Sequence, residues 1–191
     1  PQQLYLASMF SRTVVYFTRP RGVQTQAFMP HCPAVTCECG QIGDETGVAR
    51  AAELVDACLH LAEFPDHLPP EGDVHLFHTV AQIKVHPGCH YGFDDGCELR
   101  FRNDLDELNF VELAAGVPLG QAYRPLGECL KVQDETGRDV THQYVGEFDS
   151  QVRLLRNAMP SMFTRDVEVI GQDCVGYLME RLNRLTDPVS A

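Results

Sequence analysis

One phrase occurs twice in this chain. Residues 22–47, GVQTQAFMPHCPAVTCECGQIGDETG, are answered in the same order by residues 116–137, GVPLGQAYRPLGECLKVQDETG. Gly22-Val23 matches Gly116-Val117, and Gln26-Ala27 with Pro30 matches Gln121-Ala122 with Pro125. Glu38-Cys39 matches Glu128-Cys129, and the DETG at 44–47 matches the DETG at 134–137. Matched clusters in one order with small gaps have the form of an internal duplication. The pattern predicts an α+β fold: two related halves with mixed or antiparallel sheets and flanking helices. The halves are drawn at 1–68 and 69–191, the second with C-terminal helices, in one compact unit. The two DETG turns are expected to superpose, with Ile42 and Val132 as buried equivalents. Gly47 and Gly137 are expected in backbone angles that other residues avoid.

Hydropathy patterning fills in the elements. Val14-Val15-Tyr16-Phe17 is β-branched and aromatic and predicts a strand. Val48, Ala51, Val55, Leu59 and Ala62 recur at helical spacing, and Phe64-Pro65 ends that run, so 48–64 predicts the clearest helix. Residues 65–73, PDHLPPEGD, predict a loop. Residues 74–86 alternate, with Ala81, Ile83 and Val85 on one face, which predicts a half-buried strand. His75 and His78 then fall on opposite faces, one of them pointing inward and bonded to a backbone group. CELRFR predicts another strand. Residues 128–133 and 139–145 predict two strands joined by the DETGR turn. Helical stripes are read over 105–115, 148–159 and 172–185, with Pro160 as a break.

A length of 191 residues is enough to bury a core without disulfides or metals. The net charge of −12, with thirteen scattered Arg and two Lys, argues against a nucleic-acid partner, which needs a clustered basic face. No apolar run is long enough to span a membrane, so no membrane partner is expected. Eight Cys in 191 residues falls well below a disulfide scaffold, and reduced, mostly buried thiols in a cytoplasmic protein are expected. Cys58 and Cys174 are read as core.

Chemistry concentrates in two Cys/His clusters. One is His86, Cys89, His90 and Cys97; the other is His31, Cys32, Cys37 and Cys39. Zinc takes four such ligands from short loops, but neither spacing is a pair of CxxC knuckles, and buried Cys beside surface His accounts for both. No phosphate loop, GxSxG elbow or HExxH motif is present.

Residues 88–145 resemble one module of the vicinal oxygen chelate superfamily, the glyoxalase and ring-cleaving dioxygenase group. Cys89-His90-Tyr91-Gly92-Phe93 resembles its first strand, Asp104 to Leu108 with Ala114 to Gly120 its helix and exit, and Cys129 to Val140 its last hairpin. The resemblance implies a divalent metal (Zn, Fe or Mn) at His90, with His86 or His142 as a second ligand. Thr141 stands where the family places an acidic ligand. The function implied is small-molecule binding, extending to a metal-dependent lyase, isomerase or dioxygenase. The alternative is a non-enzymatic protein-interaction module with structural zinc loops. The partners expected are therefore a small-molecule ligand, a protein, or a second copy of the chain in a homodimer.

Overall fold

A computed structural model describes residues 2–19, 21–40, 43–70 and 72–182. The fold is α+β. The described residues divide into two compact units, one of those up to Phe77 with Leu182 and one of residues 78–181. No helix among the described residues is long and apolar enough to cross a membrane.

The first unit contains α1 (Gln2–Phe10), β1 (Thr13–Tyr16), α2 (Gln24–Phe28) and α3 (Glu45–His60). The strand expected from Val14-Val15 and the helix expected over 48–64 are both present. Asp44 caps α3 by accepting the Thr46 N–H at 2.9 Å, and Glu45 at the start and His60 at the end suit the helix dipole. The apolar stripe of α3 is exposed, with Val48 at 70%, Val55 at 60% and Leu59 at 78%. Cys58 is also exposed, so it is not a core residue.

The second unit carries β2 (His75–Val85, from His78 on), β3 (Tyr91–Gly92), β4 (Leu99–Phe101), β5 (Pro118–Ala122) and α4 (Leu126–Cys129). After these come β6 (Leu130–Asp134), α5 (Thr141–Tyr144), β7 (Val145–Phe148), β8 (Gln151–Leu154), β9 (Met159–Ser161), α6 (Val167–Gln172) and β10 (Gly176–Arg181). Strands β6 and β10 both pair with β2, and β9 pairs with β10. A second sheet runs β3-β4-β5-β8-β7. Ile83, Leu130, Val132 and Leu178 from the first sheet share one core with Leu99, Leu119, Val152 and Leu154 from the second. Each fully buried Leu or Ile contributes about 1.5–3 kcal/mol of transfer free energy.

Three expected helices are absent, each for a local reason. Over 105–115 only a 3-10 turn forms, Asp106–Leu108. The Asn109 amide there donates to Phe163 O and accepts the Phe163 N–H, both at 2.8 Å, and draws the chain out of the helix. Residues 148–159 hold the β7–β8 hairpin. Asp149 and Ser150 sit at φ 49° and 63°. Two consecutive positive φ values match the twist of the flanking strands, and Val152 and Leu154 are then buried at period two. Within 172–185, Gly176–Arg181 is a strand rather than a helix, with Leu178 and Met179 fully buried. Pro160 lies inside β9, a sheet-edge strand where its missing N–H is tolerated. In 139–145 the expected strand is replaced by α5 and the start of β7.

The two DETG segments do not share a topology, which corrects the expected structural duplication. Residues 44–47 open helix α3, whereas residues 134–137 turn the chain after β6, with Gln133 bridging Asp139. Gly137 takes φ 85°, but Gly47 is helical and is needed for a different reason. A Cβ on Gly47 would stand 1.5 Å from the Cys39 carbonyl oxygen. Val132 is fully buried; Ile42 lies outside the described residues.

Candidate functional site

Strand β4 alternates. Leu99 and Phe101 point into the core, at 0% and 4% exposure, so Arg100 faces outward. The antiparallel register places Arg100 opposite Gln121 on β5, and Gln121 opposite Gln151 on β8. A polar row therefore crosses three strands. It lines a cleft of about 490 Å³ in the second unit, to which Phe93, Asp94, Asp95, Arg102 and Asn103 also contribute.

The row is tied together. Arg100 forms an ion pair with Asp95 and donates to the Gln121 side-chain oxygen. The same oxygen accepts the Tyr123 hydroxyl at 2.8 Å, and the Arg100 guanidinium lies 5.9 Å from the centroid of the Tyr123 ring. The Gln151 oxygen accepts two bonds from Arg153, at 3.0 and 2.6 Å. Arg102 grips both oxygens of Asp104 at 2.6 Å and donates to Pro118 O at 3.1 Å. That pairing pulls the Asp104 carboxyl below its usual range. The Phe93 ring packs on Phe101 with centroids 5.9 Å apart, and Arg165 sits over it at 5.6 Å. Gly120 lets β4 and β5 approach closely, since a Cβ there would stand 2.3 Å from Arg100 O.

The residues expected as metal ligands lie elsewhere. His90 is exposed, and its backbone N–H donates to Glu98 Oε2 at 2.9 Å. That bond leads the causes holding the Glu98 carboxyl below its usual range, and Arg124 adds to it from 3.1 Å. His86 comes just after β2, with its N–H on Cys129 O at 2.8 Å, and His142 is exposed on α5. Thr141 donates its hydroxyl to Asp139 at 2.7 Å. Among the described residues, no three His, Cys, Asp or Glu side chains gather where one metal ion could sit. His86, His90 and His142, and the Cys/His loops, are thus not gathered into such a group among the described residues. Burial, with Cys129 beside it, pushes the Cys89 thiol up to about 12, which makes it a poor nucleophile.

Comparison with protein-family models, curated proteins and solved structures finds no match. Sequence reasoning misses the cleft residues because their proximity depends on strand register. The alternation Leu99-Arg100-Phe101 is the one readable signal for any of them.

Proposed function

We propose that the second unit binds a small molecule in the cleft along Arg100, Gln121 and Gln151. The observation that carries this reading is a concave site in which Arg100, Gln121 and Gln151 are each already held by hydrogen bonds. Preorganised groups lose little entropy when a ligand arrives. The metal-dependent lyase, isomerase or dioxygenase version has no donor set among the described residues to support it. A fragment screen followed by backbone amide shifts tests binding in the cleft. Perturbations are expected to centre on Arg100, Gln121 and Gln151, and to vanish in Arg100→Ala. Shifts scattered over the surface, or none, would sink the reading.

A protein-interaction role is the second reading, favoured by one observation. Phe110 and Met162 are 52% and 67% exposed, and both hold positive φ, 60° and 58°. Bulky residues avoid that conformation unless the surroundings impose it. Replacing both with Ser should abolish partner capture while leaving fragment binding intact.

A further inference from the structure

The cleft sets two carboxylates, Asp94 and Asp95, against two guanidinium groups, Arg100 and Arg102. Each arginine already holds a carboxylate, Asp95 for Arg100 and Asp104 for Arg102. An incoming anion would compete with those partners on a chain of net charge −12. An incoming cation would meet the arginines. Neither charge sign is selected, so the recognition must come from hydrogen bonds.

The bonds already made decide what the site offers. The Gln121 oxygen is taken by Arg100 and Tyr123, and the Gln151 oxygen by Arg153. Both amides therefore present their NH₂ ends as the remaining hydrogen-bonding groups. Arg100 uses one donor on Asp95 and one on Gln121 and keeps the rest of its five. Asp95 is 92% exposed at its side chain and retains acceptor lone pairs, as does the exposed Asp94. Donors thus line the strands and acceptors line the loop at 94–95, with Phe93 as an apolar wall. A hydroxyl both donates and accepts, and adjacent hydroxyls on one rigid ring reach both sets at once. An open polar cleft also suits a ligand that exchanges its water hydrogen bonds one for one.

Resting on the small-molecule reading above, we propose that the cleft takes a neutral, polyhydroxylated ring: a saccharide. The test uses saturation-transfer NMR with glucose, galactose, mannose, N-acetylglucosamine and their disaccharides. Inorganic phosphate, citrate and free amino acids form the comparison set. At least one saccharide should bind, with affinity insensitive to added salt because no ion pair forms with it. Arg100→Ala and Gln151→Ala should each weaken that binding by about tenfold, roughly one good hydrogen-bonding group. Near-ultraviolet circular dichroism checks that both variants fold. Binding of phosphate, citrate or an amino acid in place of a saccharide, dependent on Arg100, would overturn the saccharide assignment and leave the cleft as a small-molecule site. Failure of every compound to bind, or binding indifferent to both substitutions, would overturn both.

Discussion

His78 Nε2 lies 3.0 Å from Glu135 Oε2, with only 7% and 20% of the two side chains exposed. An interior histidine from β2 is thus met by the second residue of the DETG turn. Strand alternation alone points one of His75 and His78 inward, with a backbone group as its expected partner; His78 is the inward one, and a carboxylate lies near it. Removing one member of a shielded pair leaves the other desolvated. Glu135→Ala should cost about 1–3 kcal/mol in urea unfolding. Together with His78→Ala, it should cost less than the sum of the two single changes. Additive costs would show that the two side chains do not act as a pair.

Asp134 opens the same turn. Burial pushes its carboxyl up, but bonds from Thr136 and Arg138 outweigh this and bring it from 3.8 down to about 2. A carboxyl lowered by folding binds fewer protons in the native state than in the unfolded chain. Its stabilisation is therefore complete above 3.8 and is lost as pH falls toward about 2. Asp134→Asn should lower stability at neutral pH and flatten the acid limb in that window. An acid limb unchanged in Asp134→Asn would contradict the assignment.

Gly47 and Gly137 hold matching places in the repeated phrase and should respond differently to substitution. Gly137 has φ 85° and open space around its missing Cβ. Gly137→Ala should cost about 1–2 kcal/mol, the left-handed backbone penalty alone. Gly47→Ala drives a methyl into the Cys39 carbonyl and must move backbone, so it should cost more and should loosen α3. Amide exchange along residues 45–60 reads that loosening; equal exchange in Gly47→Ala and wild type would refute it.

The thiols should divide by exposure. Cys32 and Cys58 are exposed, whereas Cys89, Cys97, Cys129 and Cys174 are buried. Burial also raises the thiols of Cys89 and Cys174 and so lowers their thiolate fraction. Pulsed alkylation with mass spectrometry should label Cys32 and Cys58 first and leave the buried four until the chain unfolds. Early labelling of Cys129 would show that the core opens far more readily than its packing implies.

Elements with local signals are legible in the sequence. Strand β2 follows from alternation through Ala81, Ile83 and Val85, and α3 from its helical spacing. Other segments look helical by spacing alone, as in Val152, Leu155 and Met159, and are not. That spacing cannot register the left-handed pair at Asp149 and Ser150 that folds a hairpin there. The cleft is less legible still. Arg100, Gln121 and Gln151 are distant in the chain, and only strand register sets them in one row.

The repeated DETG marks where local and tertiary control divide. In both copies the Asp side chain accepts the N–H of the Thr two residues on, at 2.9 Å from Thr46 and 2.8 Å from Thr136. Four residues are enough to determine that turn, because an Asp side chain reaches the backbone two positions ahead. The path of the chain beyond the turn is decided elsewhere. After Asp44 the capped turn runs on into helix α3. After Asp134, β6 is already paired to β2 from Leu130 to Asp134, and the chain folds back so that Asp139 bridges Gln133. Side-chain reach is written in the sequence, whereas strand pairing depends on residues about fifty positions away and exists only once the sheet has formed.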